Sequence, residues 1–252
     1  MPTFKITLAY DGTGLVGWQR QASGVSVQAL LEDALRELAD RDITVTGAGR
    51  TDAGVHALGQ VAGFSLERKI DAAALKRALN ARLPAAVRVM AAEEASPAFH
   101  ARFGARAKSY RYRIWNAETI TPFERAYAWH LPGEFDVERI TAAARLLEGT
   151  HDFAAFQASG SSTKTTVRTV SSSHIITADE GSTTPPILYE VTGDGFLRHM
   201  VRTIVGTLVE IGRGRRPIEW IADVLASRER ARAGPTAPPE GLFLVSVEYD
   251  DL

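Results

Sequence analysis

Between two apolar stretches lies Thr46 to Gly59, TGAGRTDAGVHALG, in which Asp52 is the only carboxylate between Asp42 and Glu67. Gly47, Gly49 and Gly54 surround it. Glycine at this density means a backbone that turns sharply or is approached closely by another group. The flanking residues Ile43 to Thr46 and Val55 to Leu66 read as strands, so the aspartate belongs on a loop joining two strands. On spacing alone that loop is either a solvated turn or a device for presenting one acid.

The rest of the chain supplies an α+β frame for this loop. Thr3 to Tyr10 alternates as a strand and meets the turn Asp11-Gly12-Thr13-Gly14. Trp18, Gln19 and Arg20 follow in a glycine-bounded loop, the Trp being a hydrophobic lid or a base-stacking surface. Ser26 caps a helix whose Val27, Leu30, Leu31, Ala34, Leu35 and Leu38 share one face. Asp71 caps a second helix that ends before Pro84, and Val87, Val89 and Ala91 alternate in a further strand. A second round begins with the strand Ala105 to Trp115, which sends Lys108, Tyr110, Tyr112 and Ile114 one way and Ser109, Arg111, Arg113 and Trp115 the other. Asp136 caps a helix that Gly149 can end, Val167 to Ile176 and Ile187 to Val191 are strands, and Leu197 to Ile211 is the longest apolar helix. Pro217 opens a further helix running to Leu225, and Phe243 to Tyr249 closes the chain as a strand. The expected architecture is α+β, with two similar halves, residues 1–104 and 105–252, carrying mainly antiparallel sheets around a central cleft. The polar segment Gln157 to Thr166 is expected to be mobile, and Arg228 to Gly241 to form a lasso.

Several function classes fall away. The dinucleotide pattern G-x-G-x-x-G begins at Gly47 but meets Asp52 where its third glycine belongs, and no helix follows. No cysteine is present, so disulfides, thiolate metal sites and cysteine nucleophiles are excluded. The six histidines are scattered, without H-E-x-x-H spacing, and no nucleophile elbow G-x-S-x-G occurs. A metal site built from residues distant in sequence stays open at this point. No apolar run is long enough to span a membrane and the N-terminus lacks a signal-peptide pattern, which points to the cytoplasm.

Net charge is −1, yet the charge is unevenly distributed. His100 to Arg113 carries Arg102, Arg106, Lys108, Arg111 and Arg113 without an acid, and Phe196 to Arg216 carries Arg198, Arg202, Arg213, Arg215 and Arg216 against Glu210 alone. Local basic patches are what a phosphate backbone senses. An aspartate in a low-dielectric cleft protonates unless an opposite charge or hydrogen bonds favour the anion. Arg50 is near it in sequence; Arg202 is a candidate from the other half, or else an exposed helix arginine. An ionised carboxylate serves as base or nucleophile. Tyr110 and Tyr112, interleaved with basic residues, are either core residues or stacking surfaces for a base.

These segments together resemble one family. GAGRTDAGVHALGQVAGF is similar to the catalytic motif of the pseudouridine synthases, specifically the group acting on positions 38–40 of the tRNA anticodon arm. FHARFGARAKSYRYRIWN and GFLRHMVRTIVGTL resemble its second and third motifs, and YDGTGLVGWQRQ and EGLFLVSVEY also match, in the family's order over nearly the whole chain. The resemblance implies the pseudouridine synthase fold and a cofactor-free homodimer that binds tRNA. It implies that Asp52 attacks uracil C6 or ribose C1′, that Tyr110 stacks on the base and helps remove the C5 proton, that Arg202 pairs with Asp52, and that Arg50 helps displace the target nucleotide. Arg102, Arg106, Lys108, Arg111 and Arg198 are the further RNA-binding candidates. Gly63 and Thr203 stand where many relatives carry His and Asn, a departure that bears on substrate preference. Two other functions stay open: an RNA-binding module in which the loop is structural, and the same chemistry on another RNA.

Overall fold

The computed structural model describes residues 1–158, 160, 163–177 and 186–250. The chain divides into two compact units, Met1–Arg106 with the chain from Phe243 onward, and Ala107–Leu242.

In the first unit, β1 (Thr3–Tyr10) buries alternate residues Phe4, Ile6, Leu8 and Tyr10, as a half-buried strand must. Helix α1 (Val27–Ala39) starts where the Ser26 side chain accepts from the Ala29 N–H, and it buries Val27, Leu31, Ala34, Leu35 and Leu38. It stops at Asp40, which takes a left-handed conformation. The expected strand Ile43 to Thr46 is reduced to β2 (Thr46–Gly47). The reason is a competition for hydrogen bonds: the Val45 N–H donates to Glu32 and the Val45 carbonyl accepts from Gln28, both on α1. Ile43 and Val45 are buried all the same. Strand β3 (His56–Ser65) leaves the aspartate loop, α2 (Ala72–Asn80) is capped by Asp71, and β4 (Val87–Ala95) runs four residues past the alternating segment. β1 lies between β3 and β4, antiparallel to both.

The second unit opens with β5 (Ala105–Trp115) and the short β6 (Trp129–His130) parallel to its end. α3 (Val137–Arg145) follows, capped by Asp136; it ends at Leu146, not at Gly149, which instead starts β7 (Gly149–Asp152), a strand that sequence alternation does not signal. β8 (Val167–Ile176) and β9 (Ile187–Gly193) give the antiparallel order β5-β9-β8-β7. α4 (Met200–Gly212) begins three residues later than its apolar pattern, because His199 is left-handed with φ 62° and cannot continue a helix backwards. α5 (Trp220–Ser227) likewise starts after a turn in which the Trp220 N–H donates to the Pro217 carbonyl. The lasso contains two 3-10 turns, Arg230–Arg232 and Pro239–Gly241. It presses on α4 at Gly206, where a β-carbon would lie 1.7 Å from the Pro235 carbonyl oxygen.

β10 (Leu242–Tyr249) pairs in parallel with β3, Phe243 opposite His56 and Leu244 opposite Ala57. Both units are mixed α and β with mainly antiparallel sheets, in agreement with the expected class. Within Gln157 to Thr166, Ser159, Ser161 and Ser162 lie outside the described residues, as does most of the turn between β8 and β9, residues 178–185.

Candidate functional site

The aspartate loop is held by backbone. The Thr51 carbonyl accepts from the Trp18 N–H, the Gly54 N–H donates to the Leu15 carbonyl, and the Val55 N–H closes the turn on the Asp52 carbonyl. The N-terminal loop can lie this close only because it has glycine at the contacts. A β-carbon on Gly17, whose φ is +98°, would sit 2.4 Å from the Thr51 oxygen and 2.9 Å from the Asp52 carbonyl carbon; on Gly12 it would sit 2.2 Å from the Val55 oxygen. Trp18 is buried over Gly47 and is therefore the lid, not a stacking surface.

Side chains underneath complete the support. The Tyr10 hydroxyl and the Thr51 Oγ1 are 2.8 Å apart, and Gln60 Nε2 donates to the Gly49 carbonyl at 2.9 Å while lying 3.4 Å from the Tyr10 oxygen. The β1–β3 register shifts between Leu8 and Tyr10, and such irregularities re-aim the side chain beside them. Burial pushes the Tyr10 phenol up to about 12, against the smaller opposing effect of its bonds to Thr51 and Gln60, so it stays neutral. At the edge of the loop His56, buried and stacked 4.7 Å from Phe243, accepts the Gly12 N–H on Nδ1. That nitrogen carries a lone pair, so its 3.2 Å separation from Asp11 Oδ1 is not an ion pair in this state. Asp52 itself is partly exposed, on a turn held by these backbone hydrogen bonds.

Arg50 is exposed and directed by Gln19, whose Oε1 accepts its Nε at 3.0 Å; Gln19 is tied in turn to Gln28 of α1. Arg102 is exposed, and its guanidinium lies 5.7 Å from the ring of Phe103. Arg106 is exposed and engages Asp250 through two nitrogens.

In the second unit Tyr110 is 7% exposed on β5, its ring edge-on to Phe196 at 5.0 Å. Tyr112 is fully buried and donates to the Pro238 carbonyl at 2.8 Å, which corrects its reading as a stacking surface: it is core, and burial raises its phenol well above the ordinary range. The strand alternation is right, but two residues further along β5 the sheet is covered by the Pro239–Gly241 turn. Arg202 is partly buried on α4, and its Nε donates to the Ala237 carbonyl at 2.7 Å while the Ala237 N–H donates to the Arg202 carbonyl. The lasso thus fixes its direction. Arg111 pairs with Glu190 across β5 and β9, Lys108 is partly exposed opposite Gly193, and Arg198 is exposed just before α4. Sequence order hides both acids: the run from His100 to Arg113 has none, but Glu190 of β9 and Asp250, just past β10, reach it from far along the chain. Among the described residues no three His, Asp or Glu side chains are grouped as metal ligands, and no helix is long and apolar enough to cross a membrane.

Tyr10, Thr51, Gln60 and His56 were not legible as site residues. Thr51 adjoins Asp52, but its partner Tyr10 lies 41 residues away, and the two meet only through the β1–β3 pairing.

The family model for tRNA pseudouridine synthase matches residues 6–104 and 143–250. The tRNA pseudouridine synthase A of Myxococcus xanthus is 47% identical over 251 residues, covering 100% of this chain and 93% of its own. That of Moorella thermoacetica is 48% identical, covering 99% of this chain and 100% of its own, and that of Solibacter usitatus is 47% identical with the same coverage. With the loop geometry and a match that spans the whole chain, the protein belongs to the tRNA pseudouridine synthase family.

Proposed function

We propose that this chain converts uridine to pseudouridine at positions 38–40 in the anticodon arm of tRNA, with Asp52 as the nucleophile. One observation carries the reading: Asp52 stands on a turn that close glycine contacts and side-chain hydrogen bonds from Tyr10 and Gln60 hold in place. A binding module has no need to hold an acid so firmly towards an anionic ligand. Full-length likeness to tRNA pseudouridine synthases supports the substrate class.

The reaction breaks the N1–C1′ glycosidic bond, turns the uracil and forms a C5–C1′ bond; the C5 proton is removed and N1 gains one. Atoms and electrons balance without a redox group. Asp52 attacks uracil C6 or ribose C1′ to assist the cleavage, and its bond to that carbon breaks as the C5–C1′ product is completed, which returns the carboxylate. Tyr110 stacks on the base and helps remove the C5 proton, its ring already fixed by Phe196. Arg202 is the counter-charge for the carboxylate, and Arg50 helps displace the target nucleotide. Extruding that nucleotide costs a few kcal/mol, which stacking and phosphate contacts from Arg102, Lys108 and Arg198 offset; Arg106 and Arg111 contribute after leaving their acids. The active form is a homodimer, in the cytoplasm with its tRNA.

The test is to incubate the protein with unmodified tRNA and map pseudouridine by carbodiimide adducts. Adducts at positions 38–40 with wild type, and none with an Asp52→Ala protein that binds tRNA normally, are expected. Wild type that binds tRNA but leaves these uridines unmodified would sink the enzymatic reading.

A further inference from the structure

The segment just before β5 contains an aromatic ring that the chemistry above does not use. Phe103 is 78% exposed. A phenylalanine so exposed on a loose loop would mean little, but this loop is held at four points. His100 Nδ1 accepts both the Arg102 and the Phe103 N–H, at 3.2 and 3.1 Å. The Gly104 N–H donates to the His100 carbonyl at 2.9 Å, and the Tyr249 hydroxyl donates to the Ala101 carbonyl at 2.6 Å. The His100 ring lies 4.4 Å from that of Phe103, and the Arg102 guanidinium 5.7 Å from it.

We infer that Phe103, backed by His100 and flanked by Arg102, is a stacking platform for one unpaired nucleotide of the RNA substrate. The inference rests on the RNA-modifying reading above and adds a recognition residue to it. Three features select this occupant. A nucleotide offers a flat π-face and a phosphate together, and the platform offers a ring and a guanidinium side by side. No acid occurs between His100 and Arg113 to repel the phosphate, and Asp250 is already taken by Arg106. The ring's chain neighbours, Arg102 and Gly104, are exposed and not hydrophobic, so the ring is flanked along the chain by a cation and a glycine and not by the run of apolar side chains that a protein partner buries. Phe123 makes the contrast. It is 86% exposed too, but its neighbour Glu124 is an acid, bound to Arg113.

Full-length tRNA binding by fluorescence anisotropy, with wild type, Phe103→Ala, Phe103→Leu and Phe103→Trp, tests this. Stacking predicts that Ala and Leu each weaken binding by roughly tenfold or more while Trp binds like wild type. Thermal unfolding should be unchanged for all three, since the ring is outside the core. Wild-type affinity in the Leu variant overturns the inference, because an apolar contact would suffice. Wild-type affinity in the Ala variant, from a protein that still modifies tRNA, overturns it while leaving the enzymatic function intact. A change in oligomeric state by sedimentation would also overturn it, assigning the ring to a contact between copies. Wild type that neither binds nor modifies tRNA overturns both readings.

Discussion

Gly17 and Thr51 approach so closely that a single β-carbon on the glycine would lie 2.4 Å from the threonine's carbonyl oxygen. The contact joins the N-terminal loop to the residue preceding Asp52, and it is made by backbone at a positive φ that only glycine adopts cheaply. Gly17→Ala must displace the Asp52 turn or strain the loop. Stability should fall by about 1–3 kcal/mol, and tRNA modification by tenfold or more, read by urea denaturation and by single-turnover modification assays. An alanine variant with wild-type turnover would show that the turn's position does not govern the chemistry.

Tyr10→Phe removes one oxygen and leaves the packing. The Thr51 hydroxyl then keeps no tyrosine partner at 2.8 Å. A hydrogen bond of this kind is worth about 1 kcal/mol of folding stability; a looser Asp52 turn should in addition lower kcat severalfold while KM stays within about twofold. An effect on KM alone would assign Tyr10 to substrate binding instead.

The elements that were legible are those whose signal is local. β1, β5 and β8 begin and end where the sequence places them, and in β1 the reason is visible, since its period-two burial is written in the residues themselves. The capped helices behave likewise, Ser26, Asp71 and Asp136 each accepting the N–H three residues on. What could not be read depends on pairing at a distance. Ile43 to Val45 has a strand's sequence but gives its backbone hydrogen bonds to Gln28 and Glu32. Tyr112 looks equivalent to Tyr110 on the strand and differs only because the Pro239–Gly241 turn lies over it. The tight turn around Asp52 was legible from its glycines, whereas the tyrosine and glutamine beneath the loop were not.

Arg111 and Arg102 are alike in sequence and unlike in setting, the first paired with Glu190 and partly buried, the second exposed beside Phe103. Arg102→Ala should therefore weaken tRNA binding several-fold and reduce the salt slope by about one phosphate contact. Arg111→Ala should do less, since its cation is already neutralised. Glu190→Gln should tighten binding and steepen the slope. Anisotropy titrations over a range of salt concentrations check all three, and equal losses for both arginines would remove the distinction.

Buried phenols give the fold an alkaline limit. Burial raises the Tyr10 phenol from 10.0 to about 12 and raises those of Tyr112, Tyr189 and Tyr249 as well. In the unfolded chain a tyrosine releases its proton near pH 10, but the folded Tyr10 holds it until about 12. The folded state therefore binds more protons across that window, and stability falls as pH rises through it, by roughly 1.4 kcal/mol per pH unit for each such phenol at the steepest. Below pH 10 the contribution is fully present. Urea denaturation at pH 9, 10.5 and 11.5 should show a loss that steepens with pH. Tyr10→Phe, having nothing to ionise at that position, should start less stable by its missing hydrogen bond yet lose stability less steeply. Parallel curves for the two proteins would mean that Tyr10 ionises in the folded protein as freely as in water.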